Sequence, residues 1–241
     1  SAGAHLAGKL ARTLDHRLRL AEAGRLRGKP VKVPAHIKAG PPASGPDLAT
    51  LALTTSDFGG QASVADQGYV TLAVDLYRGK VATTPEEAHE IMRGVPEDRA
   101  KRDLAAAFSY LQSMTNVKKN KIGAIGWCMG GGYSLDVALQ EPTLAADVIN
   151  YGHLATDSEA LKKINAPILG LFGGQDHGIT PDDVHKFEQQ MKSLGKKIDV
   201  TIYPDAGHAF ENPNNKGGYR EADAQDAWNK TVAFLESTLK K

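Results

Sequence analysis

KIGAIGWCMGGGYSLDVALQ, residues 121–140, joins a short apolar run to a helix-like segment through a cysteine set among glycines. KIGAIGW reads as a strand covered on both faces, because Ile122, Ala124, Ile125 and Trp127 show no polar alternation and the run is short. YSLDVALQ, residues 133–140, reads as the helix that follows. Between them Cys128 has Gly126 two residues before it and Gly130 two residues after, the spacing of a nucleophile elbow with Cys in the place of Ser. The nucleophile of such an elbow sits on a tight strand-to-helix turn, where side chains two positions away on either side would meet the neighbouring strand and helix. A helix that begins directly after Cys128 aims its unpaired N–H groups at the sulfur and favours the thiolate. A lone cysteine beside glycines is also what a buried structural thiol under a helix looks like. The strand, turn and helix around Cys128 favour the nucleophile.

Outward from this stretch, apolar runs alternate with helical patterns. LATLAL (48–53), YVTLAVDLY (69–77), AADVINYG (145–152), PILGLFGG (167–174) and DVTIYP (199–204) are short, rich in Val, Ile, Leu or Tyr, and bordered by turn residues. Leu104, Phe108 and Leu111 mark one helix by their spacing, Val184, Phe187, Met191 and Leu194 a second, and Trp228, Val232, Leu235 and Leu239 a third. Thr84-Pro85-Glu86-Glu87 and Thr180-Pro181-Asp182-Asp183 each supply a hydroxyl N-cap, Pro at the first helical position and an acid at the third. The alternation predicts an α/β fold with a mostly parallel central sheet covered by helices on both faces. In such sheets functional groups gather in the loops at the carboxyl ends of strands.

Composition narrows the function class. The 241 residues are 41% hydrophobic and contain no apolar run approaching the roughly 20 residues of a membrane-spanning helix. A net charge of +1 supplies no global field for nucleic acid or an acidic membrane surface. One cysteine excludes an intrachain disulfide and a cysteine-based zinc cluster, and points to the cytoplasm. Charge is uneven: residues 1–30 hold seven basic side chains against Asp15 and Glu22. With Leu10, Leu14 and Leu18 at helical spacing, this basic segment is expected to form a helix; it lacks the continuous apolar stretch of a secretory signal. Residues 38–47 (KAGPPASGPD) read as a loop, and 31–241 as a single α/β domain.

A nucleophile needs a base, and the base an orienting acid. Asp176 follows PILGLFGG just past the end of a predicted strand, and His208 stands a few residues beyond DVTIYP. Alone, Asp176 could be a turn residue and His208 a surface histidine. Together with Cys128 upstream they stand in the order nucleophile, acid, histidine that this class of fold uses. His177 is expected to face solvent. His153, in NYGHLATD, could line a pocket or bond a backbone group.

GWCMGGG (126–132), FGGQDHGIT (172–180), YPDAGHAF (203–210) and DQGYVTLAVDLYRG (66–79) resemble the motifs of the dienelactone hydrolase family of α/β-hydrolases, and the likeness runs from about Asp66 to Lys241. The resemblance implies Cys128 as nucleophile, His208 as general acid and base, Asp176 as its orienting carboxylate, and the backbone N–H of Met129 as half of an oxyanion hole. Upstream, Ser56-Asp57-Phe58-Gly59-Gly60 matches the family's His-Glu-aromatic-aromatic-Gly pattern only loosely. There the resemblance implies Asp57 as a carboxylate that tunes the thiol and Phe58 N–H as the second oxyanion donor. Five residues then separate Gly60 from Asp66, too few for the helix the family places between them. Tyr77 and Arg78 fall where the family binds substrate, whereas Asn212 stands where an arginine for an anionic substrate is expected. A neutral ester or lactone is therefore as admissible as an anionic dienelactone.

The function expected is hydrolysis of a small ester or lactone through an acyl-thioester, with no metal or organic cofactor, since thiolate attack, proton transfer and two N–H donors suffice for acyl transfer. Thioesterase or acyltransferase activity with the same residues is one alternative. A non-catalytic binding protein on the same fold is the other.

Overall fold

The computed structural model describes residues 64–241 and the backbone of one further strand, 50–54; the basic segment 1–30 and residues Asp57 and Phe58 lie outside the described residues. Six strands pair in parallel throughout: β1 (Thr50–Thr54), β2 (Val70–Val74), β3 (Ile122–Trp127), β4 (Ala146–Asn150), β5 (Ile168–Gly173) and β6 (Ile198–Tyr203), in the order β2-β1-β3-β4-β5-β6. Burial explains the apolar runs. Every residue of β3, β4 and β5 is buried, whereas the outer strands β2 and β6 are only partly so. Central parallel strands are covered from both sides and have no solvent face on which to alternate.

The helices are α1 (Pro85–Arg93), α2 (Glu97–Ser113), α3 (Met129–Gln140), α4 (Ser158–Leu161), α5 (Pro181–Ser193) and α6 (Glu221–Leu235), the last continuing in a π-helical turn over Glu236–Lys240. Leu104, Phe108 and Leu111 of α2 and Val184, Phe187 and Met191 of α5 are buried, as their periodicity predicts. Thr84 and Thr180 cap α1 and α5 by accepting from the N–H of Glu87 and Asp183. At Thr180 the reciprocal capping box closes. At Thr84 it does not, because the Glu87 carboxylate bonds the backbone N–H and hydroxyl of Thr83 instead.

From β2 to β6 the chain steps repeatedly in one direction across the sheet, and right-handed crossovers therefore lay α1 to α5 along one face. The C-terminal helix packs against β5. It is tied at one end by Tyr203 Oη donating to Asp226, and at the other by Lys240 Nζ donating to the Gln67 carbonyl and lying over the Tyr69 ring. Among the described residues no helix is long and apolar enough to cross a membrane. All loops that leave the carboxyl ends of these parallel strands open at one edge of the sheet, so Tyr77, Cys128, Tyr151, Asp176 and His208 share it.

Candidate active site

Backbone strain is concentrated at that edge. Four non-glycine residues adopt positive φ among the described residues: Arg78 (54°), Cys128 (56°), Tyr151 (39°) and Ala209 (57°), in the loops after β2, β3, β4 and β6. Such conformations cost about 1–3 kcal/mol each and persist where the surroundings over-determine them. At Cys128, with ψ −122°, the strain turns the chain from β3 into α3 and lifts the thiol out of the sheet. The turn is held by Cys128 N–H donating to the Asn150 carbonyl at 3.0 Å and by Asn150 Nδ2 donating to the Gly126 carbonyl at 3.0 Å. Gly126 is required here: a Cβ on it would come within 1.9 Å of the Gly130 carbonyl oxygen. Gly131 also lies against β4, where a Cβ would fall 2.8 Å from the Asn150 carbonyl oxygen.

The loops that carry Asp176 and His208 are bound to each other before any side chain meets. Gly174 N–H donates to the Tyr203 carbonyl at 2.7 Å and Gln175 N–H to the Ala206 carbonyl at 2.8 Å. Asp176 is buried, with Oδ1 accepting from the N–H of Gly178 (2.8 Å) and of Ile179 (3.1 Å), and Oδ2 lies 2.7 Å from His208 Nδ1. That contact orients the ring so that His208 Nε2 stands 3.0 Å from Cys128 Sγ. The ring is also met edge-on by Tyr151, centroids 5.3 Å apart, and Tyr151 is packed in turn on Phe210. Three side chains from three loops thus form one chain, Sγ to Nε2 and Nδ1 to Oδ2.

Its electrostatics favour a separated charge pair. The hydrogen bond from His208 leads in lowering the Cys128 thiol pKa, with the Met129 N–H adding to the effect against the opposing cost of burial. The bond to Cys128, then that to Asp176, pushes His208 up to about 9. Thiolate and imidazolium therefore stabilise each other, and the side chain of His208 stays 41% exposed, within reach of substrate and water.

The remaining expectations divide. Tyr77 is brought to the site: its hydroxyl meets Met129 Sδ at 3.9 Å, and burial followed by the nearby Tyr133 and Cys128 raises its pKa. Arg78 is half exposed and spends its guanidinium on both carboxylate oxygens of buried Asp103 at 3.2 Å. Met129 is the first residue of α3, directly after Cys128. His177 is exposed, and His153 lines a cavity of about 200 Å³ between the loop after β4 and α5. Tyr151, which meets the His208 ring edge-on, carries no signal in the sequence although it follows a strand end as Cys128 and His208 do; an aromatic there looks like core until the packing is seen. Among the described residues no group of His, Cys, Asp and Glu is placed to hold a metal ion.

Against known proteins, the model of the dienelactone hydrolase family matches residues 56–239. A protein of Methylorubrum extorquens assigned as a carboxymethylenebutenolidase is 32% identical over 208 residues, 78% of this chain and 71% of that one. Protein usf of Aquifex pyrophilus is 31% identical over 73% of this chain and 78% of its own length. Among solved structures, a protein of Klebsiella pneumoniae assigned as a dienelactone hydrolase superposes with a TM-score of 0.70 at 24% identity, covering 81% of this chain and 89% of that one. A dienelactone hydrolase-like promiscuous phosphotriesterase from metagenomic libraries gives 0.71 at 20% identity over 81% and 88%. These likenesses establish the α/β-hydrolase fold.

Proposed function

Because the chain belongs to the dienelactone hydrolase family, we propose that it hydrolyses a small ester or dienelactone-like lactone through an acyl-thioester on Cys128. The observation that carries this reading is the continuous contact from Cys128 Sγ through His208 to Asp176. In the first half-reaction the thiolate attacks the carbonyl carbon, and the developing oxyanion turns toward the Met129 N–H at the start of α3. His208 then gives its Nε2 proton to the leaving alkoxide as the C–O bond breaks, leaving the acyl-thioester and a neutral imidazole. In the second, His208 takes a proton from water as the oxygen attacks the thioester carbonyl. The C–S bond breaks, the carboxylic acid departs, and thiolate and imidazolium are restored. Asp176 holds the ring so that Nε2 faces the sulfur in both halves.

From the family resemblance, Phe58 N–H completes the oxyanion hole and Asp57 tunes the thiol. Tyr77 is read as a wall of the substrate site. Arg78, already engaged by Asp103, contributes little free charge to a substrate carboxylate, which favours neutral esters and lactones. We read 31–241 as one hydrolase domain preceded by a separate basic segment, 1–30. A nucleophilic thiol open to oxidation suits a reducing compartment such as the cytoplasm.

The test is Cys128→Ala. The sulfur makes the covalent bond, whereas a methyl group fits the elbow, so turnover of an activated phenyl ester is lost while the circular dichroism spectrum is kept. A variant that keeps half of the wild-type turnover overturns the assignment.

A further inference from the structure

Glu211 is a carboxylic acid that the mechanism above does not use. It stands three residues beyond His208, and its Oε2 accepts a 3.0 Å hydrogen bond from Trp127 Nε1. Its Oε1 is buried and has no hydrogen-bond partner among the described residues. Leaving a buried acceptor unpaired is costly, so packing alone gives no reason for a carboxyl at this position.

The bond it does make crosses a junction that matters. Trp127 is the last residue of β3, immediately before Cys128. The elbow is held on its β4 side through Asn150. The histidine loop is braced within itself, by Asn215 Nδ2 against the carbonyls of His208 and Ala209 and by Arg220 N–H against the Phe210 carbonyl. Those braces leave the loop and the elbow separate, and the 3.0 Å distance from Nε2 to Sγ depends on how the two are held relative to one another.

We propose that Glu211 is a positioning residue, whose hydrogen bond to Trp127 locks the histidine loop to the nucleophile elbow and thereby maintains the Cys128–His208 charge pair. The proposal rests on the reading of that pair as the working nucleophile and base. The strut is itself open to titration. Burial pushes the Glu211 carboxyl up to about 7. The titratable group facing it is Tyr203 of β6, whose hydroxyl donates to Asp226 of α6, and among the described residues no cation pairs with it. As the carboxyl ionises, its bond with the indole N–H strengthens, since charge-assisted hydrogen bonds are the stronger kind.

Cys128 is the single cysteine of the chain, so alkylation by iodoacetamide reads the charge pair without any need for turnover. At about pH 6.5, Glu211→Ala and Trp127→Phe are each expected to label about tenfold more slowly than wild type, with wild-type rates recovered near pH 9.5, where the thiol ionises without help. Glu211→Gln keeps a carbonyl acceptor for the indole and should label within about threefold of wild type. The Glu211→Ala/Trp127→Phe double variant should be no slower than either single one, because both remove the same bond. In a Trp228→Phe background, which leaves Trp127 as the one indole, fluorescence should titrate near neutral pH and cease to do so in Glu211→Gln.

Wild-type labelling in Glu211→Ala at the lower pH overturns the proposal, as does additivity in the double variant. If Glu211→Ala fails to fold, Trp127→Phe decides by the same labelling measurement. Absence of ester turnover in the wild type would count against the hydrolase reading and leave the labelling result to judge Glu211 by itself.

Discussion

Replacing Asp176 by Asn tests the orientation of His208 with almost no change of volume. Asp176 Oδ1 accepts two backbone N–H groups, from Gly178 and Ile179, so the amide of Asn keeps its oxygen there and turns its NH₂ toward His208. His208 Nδ1 must then accept instead of donate, which places the ring proton on Nε2 and withdraws the carboxylate that supports the imidazolium at 2.7 Å. A hydrogen bond to a charged group is worth about 1.5–3 kcal/mol, and each 1.36 kcal/mol is tenfold in rate, so kcat is expected to fall about 10- to 150-fold. KM should stay within about threefold, because Asp176 is buried behind the ring and does not reach substrate. The pH profile carries a second signature. The charge pair exists between the lowered pKa of Cys128 and the raised one of His208, about 9, so the wild-type kcat/KM is bell-shaped with its alkaline limb near that value. Losing the carboxylate lowers the His208 pKa, so the alkaline limb moves to lower pH and the bell narrows from that side. The assay is steady-state hydrolysis of an activated phenyl ester from about pH 5 to about pH 10. A variant that changes KM alone, or whose alkaline limb does not move, refutes the orienting role. Exposed Asp205 would then be the acid to examine.

Cys128→Ser should be nearly as inactive as Cys128→Ala, since a hydroxyl needs far stronger base assistance than a thiol already paired as thiolate; turnover within about tenfold of wild type would show that the site activates an alcohol as well. Gly126→Ala should destabilise by about 3 kcal/mol or more in urea unfolding, because its Cβ would lie 1.9 Å from a backbone oxygen that cannot move without shifting the elbow; wild-type stability would show that the turn can relax. Asp147, fully buried in β4, has its pKa pushed up to about 8 by burial, which outweighs the lowering effect of Ser134 and the Val148 N–H. A folded pKa above the unfolded one contributes stability that is complete at low pH and lost as pH rises toward 8, so Asp147→Asn should gain stability over wild type as pH increases, by at most about 1.4 kcal/mol per pH unit; a difference independent of pH would contradict it. Asp57→Asn should speed iodoacetamide labelling and slow ester turnover if Asp57 opposes the thiolate, and unchanged values of both would remove Asp57 and Phe58 from the site.

Much of this protein could be read from local sequence because the signals are local. A strand covered on both faces must be apolar throughout, so the runs around Ile122–Trp127 and Ile168–Gly173 declare themselves without knowledge of their neighbours. Helix caps are written within four residues, as at Thr180. That Cys128, Asp176 and His208 would meet could be read from sequence because each sits just past a strand end, and parallel topology gathers such positions at one edge.

What sequence could not decide are quantities set between segments far apart in the chain. Whether Arg78 is available to substrate depends on Asp103, 25 residues away on α2. That Tyr151 abuts the His208 ring depends on the side-by-side order of β3, β4 and β5. The protonation of Cys128 and His208 is a property of their 3.0 Å separation, and in sequence they are 80 residues apart. Residue type and spacing along the chain specify which groups are available and which local turns they favour. Distances, partners and charge states arise only when non-local packing brings those turns together, because Coulomb and hydrogen-bond energies depend on separation in space, which the linear order does not encode.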